Sequence, residues 1–177
     1  MREVAELMPD AGRMRPYAVA FVARVTDRSR LPLDYSVESL RIVDCLVDGL
    51  RKGGVPRERL HETLLGLGAY VGEVLVRRAG VEWVDFDADQ RAYFGRPVGV
   101  RMPDGRVWNP LGRVRNRFET GAPGDSLQTF YPTLHGRLRR RAGWRTVHDP
   151  RLGAQGGAKR TTSPVAAHRV CNRPAQL

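Results

Sequence analysis

Residues 66–80 read GLGAYVGEVLVRRAG, a stretch that combines the apolar pattern of a buried helix with several glycines. At about 100° per residue, Val71 and Leu75 share a helical face with Gly68, and Gly72 lies at the edge of that face. An interior glycine costs a helix about 1 kcal/mol relative to alanine, so several are tolerated only where space is needed. We therefore expect Gly68 and Gly72 to let another helix or strand approach closely, which puts this helix at the centre of the fold.

Two elements are expected before this helix. The run YAVAFVARV at 17–25 is rich in β-branched and aromatic residues, which favours a first strand. A helix follows, with Ser36 as its expected N-cap and Gly53 as its stop. Pro56 then opens the helix of the quoted stretch, and Gly80 ends it. The apolar face of the earlier helix consists of Leu40, Ile42, Val43, Leu46, Val47 and Leu50.

Strand and helix signals also follow the quoted stretch. VEWVDF at 81–86 is expected to form a strand, and PVGVRM and RVW are expected to pair as a hairpin around the turn at 103–105. Asn109 is the expected N-cap of a helix that ends at Gly121. Asp125 is the expected N-cap of a short last helix.

These elements predict an α+β fold, in which a small antiparallel sheet of three to four strands packs with about four helices. A chain of 177 residues is long enough for one domain with a sizeable core. We place that domain at 16–135 and a flexible N-terminus at 1–15. Residues 136–177 contain few apolar residues and many Gly, Pro and Arg, which predicts a disordered tail.

The formal net charge of +11 is distributed unevenly. Residues 1–134 hold 20 basic and 18 acidic side chains, whereas residues 135–177 hold 10 basic and 1 acidic. The tail, and not the domain, is therefore the candidate for contacts with nucleic-acid phosphates. The arginines concerned are Arg137, Arg139, Arg140, Arg141 and Arg145.

The sequence contains no recognisable targeting signal or membrane-spanning segment. The N-terminus contains acidic residues and no apolar run, and no window approaches the roughly 18 apolar residues of a membrane span. Cys45 and Cys171 lie far apart in sequence and imply no disulfide framework. The sequence therefore predicts a cytoplasmic protein with no membrane contact.

Three short motifs resemble known sites only in part. HETLL at 61–65 lacks the second histidine of a zinc-protease helix. DFDADQ at 85–90 opens like a calcium loop, but the glycine and glutamate that such a loop needs are missing. GDSL at 124–127 shares four letters with an esterase nucleophile block, although a helix start explains it better. We therefore expect no catalytic residue, no metal site and no cofactor.

Longer patterns carry a family resemblance. The segments LPLDYSVESLRIVD, LGAYVGEVLVRRAGVEWV and WNPLGRVRNRFETGAPGDSL contain a DYS-x-ESL element, a GAY-x-GE helix and an NP-x-x-x-V helix start. Together they resemble a widespread family of small bacterial domains that has no established reaction. The likeness covers residues 30–134. It implies a common fold and a domain boundary, and it assigns no catalytic residue.

Polar residues from separate elements are the remaining candidates for a binding site. Glu73 and Arg77 are spaced for an i, i+4 ion pair, and Tyr70 lies beside them. Two interpretations are open: a groove that binds a ligand or a partner, or an internal ion-pair network that fixes one helix to another. The full candidate set is Asp34, Tyr35, Tyr70, Glu73, Arg77, Arg113 and Arg117.

Three functions follow from these observations. The leading hypothesis is a non-enzymatic module with a regulatory, accessory or immunity-like role, which contacts a protein partner, because no catalytic constellation is recognisable. The second is a nucleic-acid-binding protein that uses the arginine-rich tail. The third is an enzyme with a polar site around Glu73, which requires a pocket there.

Overall fold

The computed structural model describes residues 10–134. Within them the chain forms six α-helices and a three-stranded sheet, which confirms the α+β class and gives more helices than the four expected. A single 3₁₀ turn at Pro123–Asp125 precedes the last helix. The elements in chain order are α1 (Ala11–Ser29), α2 (Leu40–Lys52), α3 (Arg57–Ala79), β1 (Glu82–Asp85), α4 (Ala88–Phe94), β2 (Val98–Arg101), β3 (Val107–Trp108), α5 (Pro110–Thr120) and α6 (Leu127–Leu134).

The sheet is antiparallel, with strand order β1-β2-β3. Val100 on the central strand lies opposite Trp83 on one side and opposite Trp108 on the other. The predicted hairpin is confirmed, and its turn uses Gly105 with a φ of 84°, a conformation that side chains with a Cβ rarely adopt. Val98 and Val100 on β2 and Met102 just after it are all buried, so these alternate residues face the core.

Helix α3 is the centre of the fold, as the glycine pattern predicted. Every residue from 64 to 75 is buried, and α3 contacts α1, α2, α5, β1 and β2. A Cβ placed on Gly68 would lie 2.8 Å from the Cα of Leu111, so the backbone of α5 approaches α3 at this glycine. The expected close approach of another helix is therefore found at Gly68.

The other two interior glycines of α3 are filled by side chains and not by backbone. A Cβ on Gly72 would collide with the indole of Trp83, and a Cβ on Gly66 would collide with the ring of Phe21. These glycines let large aromatic rings lie directly against the axis of the helix. The predicted backbone approach is thus replaced at Gly72 by a side chain from β1.

The predicted first strand at 17–25 is wrong, because this segment lies in helix α1. The buried residues Met14, Ala18, Phe21 and Val25 are three or four positions apart, which is the helical period. That period outweighs the β-branched composition on which the strand prediction depended. The predicted boundary at residue 16 falls inside the same helix, so residues 11–15 are helical.

Two expected helix caps also differ from the structure. Helix α2 begins at Leu40, and the hydroxyl of Ser36 instead accepts a hydrogen bond from the backbone nitrogen of Ser39 at 3.2 Å in the preceding turn. Asp125 does not cap α6. The carboxylate of Asp44 on α2 does so, because it accepts from the backbone nitrogen of Leu127 at 2.9 Å.

Within residues 10–134, no helix combines the length and the apolar character that crossing a bilayer requires. The predicted tail at 136–177 lies outside the described residues, and so does Cys171, on which the expectation about disulfides depended.

Candidate functional site

The structure places the seven polar residues singled out from the sequence in two groups. Arg113 and Arg117 form one group on α5, where they face α2 and the segment before α6. The other group surrounds the second half of α3 and contains Asp34, Tyr35, Tyr70, Glu73 and Arg77.

Glu73 is the centre of the group on α3. Its side chain is 0% exposed, and its Oε1 atom accepts a hydrogen bond from Nε of Arg77 at 2.9 Å, so the predicted i, i+4 pair is formed. Nε of Arg15 on α1 lies 3.2 Å from the same oxygen. Sequence reasoning missed Arg15, because it assigned that residue to a flexible terminus.

The second carboxylate oxygen of Glu73, Oε2, is buried and has no hydrogen-bond partner among residues 10–134. A buried carboxylate is costly unless cations compensate it, and Arg15 and Arg77 supply that compensation. Glu73 is therefore enclosed and paired. This arrangement favours the interpretation of Glu73 as an organising residue over that of a catalytic base.

Tyr70 connects α3 to the segment before α2. Its ring is fully buried, its hydroxyl accepts a hydrogen bond from the backbone nitrogen of Tyr35 at 3.0 Å, and the hydroxyl of Ser39 lies 2.6 Å away. The Ser39 hydroxyl donates its hydrogen to the carbonyl of Ser36 at 2.6 Å, so the Tyr70 hydroxyl is the donor to Ser39. Burial raises the pKa of Tyr70 above its ordinary value, which keeps this donor protonated.

Tyr35 adopts a left-handed backbone conformation with a φ of 59°. The guanidinium carbon of Arg77 lies 3.7 Å from the centroid of its ring, and Nε of Arg78 donates to its carbonyl oxygen at 3.0 Å. Burial raises the pKa of the Tyr35 hydroxyl, while Arg77 acts in the opposite direction. Two consecutive arginines of α3 thus fix an unusual backbone conformation in the loop before α2.

Asp34 is exposed and has a local role. Its carboxylate accepts a hydrogen bond from the backbone nitrogen of Ser36 at 2.9 Å. Hydrogen bonds from the side chain and backbone of Ser36 lower the pKa of Asp34. Asp34 therefore stabilises the turn in which Tyr35 lies.

Arg113 is buried beneath the turn that leads to α6. Its Nη1 donates to Asp125 at 3.0 Å, and its Nη2 donates to the carbonyl oxygen of Gly124 at 2.6 Å. Burial lowers the pKa of Arg113, and the nearby carboxylate of Asp125 opposes that effect. Asp125 also accepts from the hydroxyl of Thr120 at 2.7 Å, so the GDSL segment is held by structural contacts.

Arg117 has a comparable position one turn further along α5. Its Nη1 donates to the carbonyl oxygens of Gly121 at 2.7 Å and Ala122 at 3.1 Å, and its Nε lies 3.3 Å from Asp44. Asp44 in turn accepts from the Ser126 hydroxyl at 2.7 Å. Arg113 and Arg117 therefore join α2, α5 and α6, and they do not converge with the group on α3.

Two aspartates of the acidic run DFDADQ accept hydrogen bonds from backbone nitrogens at the starts of helices. Asp85 accepts a hydrogen bond from the backbone nitrogen of Ala11 at 3.0 Å, which ties the start of α1 to the end of β1. Asp87 accepts from Gln90 at 2.8 Å and forms a capping box at the start of α4. Over residues 10–134, no group of three or more His, Cys, Asp or Glu side chains has an arrangement that would hold a metal ion.

Comparison with known proteins adds no identity to this geometry. No family model, no curated protein and no solved structure matches the chain. The resemblance to a family of small bacterial domains therefore stays a prediction. The tail arginines between 137 and 145, on which the nucleic-acid hypothesis depends, lie outside the described residues.

Proposed function

We propose that this chain is a non-enzymatic α+β module that binds a protein partner through the outward face of α1. The observation that carries the proposal is an exposed apolar row on that helix. It consists of Pro16, Val19, Ala20 and Ala23, all of which are exposed. Val19 is 47% exposed and is one of three large exposed hydrophobic side chains among residues 10–134.

The spacing of this row makes it a continuous surface. Positions 16, 19, 20 and 23 lie on one face of a helix, roughly opposite the face that buries Met14, Ala18, Phe21 and Val25 in the core. A surface helix normally presents polar side chains on its outward face. An outward apolar face on α1 therefore supports a contact with another molecule.

The internal engagement of the polar groups supports a non-enzymatic role. Glu73 is enclosed between two arginines, and the Tyr70 hydroxyl is fixed between Tyr35 and Ser39. A general acid or base needs access to the proton that it transfers. These groups instead hold α1 and the loop before α2 against α3.

The charges beside the row are largely paired within the chain. Three arginines of α1 have carboxylate partners: Arg13 pairs with Asp10, Arg15 with Glu73 and Arg24 with Glu62. The apolar row, and not a net charge, therefore defines what this face would contact. We infer a protein partner that presents an apolar surface to the row.

The proposal is tested with the full chain carrying Val19→Glu, and with Val55→Glu as the matched control, because Val55 is 40% exposed and lies outside α1. A protein recovered from the source cells with both the wild-type and the Val55→Glu chains is purified and titrated against all three chains, and recovery of no such protein also overturns the proposal. We expect Val19→Glu to weaken its binding roughly 100-fold, since a carboxylate would be buried unpaired in the contact. Equal affinity for the wild-type and Val19→Glu chains overturns the proposal, provided that circular dichroism shows both chains folded.

A further inference from the structure

We propose that Arg15 and Arg77, positioned by the buried carboxylate of Glu73, form a binding site for a phosphate group. This site is distinct from the apolar face of α1, and it does not depend on the proposed protein partner. The argument rests on the geometry of the three side chains, on where their charges lie and on the shape of a guanidinium.

The two arginines converge on one atom. Nε of Arg77 lies 2.9 Å from Oε1 of Glu73, and Nε of Arg15 lies 3.2 Å from the same oxygen. Each arginine meets Glu73 through its Nε and not through its terminal nitrogens. Each guanidinium therefore keeps its pair of terminal nitrogens available, and that pair is the planar fork with which arginine binds oxyanions.

The charges are separated between the interior and the surface. Glu73 is 0% exposed, whereas the side chains of Arg15 and Arg77 are 62% and 40% exposed. An approaching anion therefore meets two cations before it meets the carboxylate, and the three groups together have a formal charge of +1. Arg78 adds a further cation beside Tyr35, and Asp34 offsets it.

The site is also held in place before any ligand arrives. Arg77 is fixed at its Nε by Glu73 and along its face by the ring of Tyr35, 3.7 Å away. Arg15 forms an ion pair with the same carboxylate, with its Nε 3.2 Å from Oε1. Because Arg77 is held on two sides, the cost of ordering it around an anion is reduced. Glu73 is thus a positioning residue for two binding residues.

Phosphate fits this arrangement better than carboxylate does. A phosphate monoester has about two negative charges at neutral pH and three terminal oxygens, which is enough to engage two arginine forks at once. A carboxylate has one charge and two oxygens, and a single fork satisfies it. The site therefore selects a phosphate group, either on a free small molecule or on a phosphorylated side chain of a partner.

The test is a calorimetric titration of the full chain with inorganic phosphate, with phosphoserine and with acetate. We expect saturable binding of phosphate that weakens with added salt, that is tighter than the binding of acetate, and that falls roughly tenfold or more in Arg15→Gln. Arg28→Gln is the matched control, because Arg28 is also an exposed arginine of α1, and it should bind phosphate as the wild type does. Val19→Gln adds no charge one helical turn from Arg15 and should also bind as the wild type does, which separates this site from the proposed partner surface.

Each outcome decides the proposal. Tighter binding of phosphoserine than of inorganic phosphate supports a site for a phosphorylated side chain, and equal binding supports a free phosphate ligand. The proposal is overturned if the wild type shows no saturable binding, if Arg15→Gln binds phosphate as tightly as Arg28→Gln does, or if acetate binds as tightly as phosphate. Arg15 is the preferred substitution, because Arg77 remains to compensate Glu73, and circular dichroism checks that the variant is folded.

Discussion

The carboxylate of Asp44 on α2 accepts a hydrogen bond from the backbone nitrogen of Leu127 at 2.9 Å, and so caps a helix that lies 83 residues further along the chain. The same carboxylate accepts from the Ser126 hydroxyl and from the backbone nitrogen of Gln128, and it pairs with Arg117. One side chain therefore accepts hydrogen bonds from backbone nitrogens at the start of α6 and also pairs with Arg117, a largely buried cation on α5. This relationship makes Asp44 a point at which three helices depend on a single group.

We expect Asp44→Ala to lower the free energy of unfolding by about 3 kcal/mol, because it removes a helix cap and leaves Arg117 without its carboxylate. Asp48→Ala on the same helix is the control. Asp48 pairs with Arg51 and Lys52 near the surface, and such exposed pairs contribute at most about 1 kcal/mol. Urea denaturation of both variants measures the difference. Similar losses in the two variants would show that the cap does not stabilise the contact of α6 with α2.

Sequence reasoning finds local caps and misses distant ones. Asn109 was predicted as the N-cap of α5, and its side chain does accept from the backbone nitrogen of Gly112 at 2.7 Å, because a cap three residues away is visible in the order of the residues. Asp44 has no such signal, since its partners are brought to it by the packing of α2 against α6. Asp125 was the nearest acidic residue in sequence, and it is instead occupied by Arg113.

We expect Gly68→Ala to destabilise the protein by about 1–3 kcal/mol, since the new Cβ would lie 2.8 Å from the backbone of Leu111 and would push α5 away from α3. Gly49→Ala on α2 is the matched control, because nothing lies within 4 Å of a Cβ at that position. It should stabilise the protein by up to about 1 kcal/mol through helix propensity. If Gly68 is needed for the close approach of α5, thermal or urea unfolding should show a lower free energy of unfolding for Gly68→Ala and a higher one for Gly49→Ala.

The glycine pattern of α3 predicted the centre of the fold because close packing against a helix requires glycine at the contact, and glycine is visible in the sequence. The assignment of α1 failed for the converse reason. Val and Phe in the run at 17–25 favour a strand locally, whereas packing selects a helix that buries Phe21 and Val25 together with Met14 upstream. That error also concealed Arg15, and with it the second cation on Glu73. A helical period traced across residue 16 would have identified both.

We expect Tyr70→Phe to lower the free energy of unfolding by about 1–3 kcal/mol. The substitution removes the hydroxyl that accepts from the backbone nitrogen of Tyr35 and bonds to Ser39, and it leaves both groups buried or half-buried without that partner. Tyr93→Phe is the control, since Tyr93 is 53% exposed. Urea unfolding at pH 7 measures both variants, and equal stability of the two would mean that water replaces the hydroxyl of Tyr70 without loss.

The same tyrosine predicts how stability changes at alkaline pH. Burial raises the pKa of Tyr70 in the folded state above the value of about 10 that the unfolded chain has, so the folded state holds its proton more tightly. The corresponding stabilisation is complete below about pH 10 and is lost as the pH rises towards the folded-state pKa. Burial also raises the pKa values of Tyr17 and Tyr35, so the wild-type protein should lose stability steeply from about pH 10 upward.

In Tyr70→Phe one of these groups is absent, and the fall in the free energy of unfolding between pH 8 and about 11 should be smaller than in wild type or in Tyr93→Phe. Parallel curves for Tyr70→Phe and wild type would contradict a buried, protonated Tyr70 hydroxyl between α3 and the loop before α2.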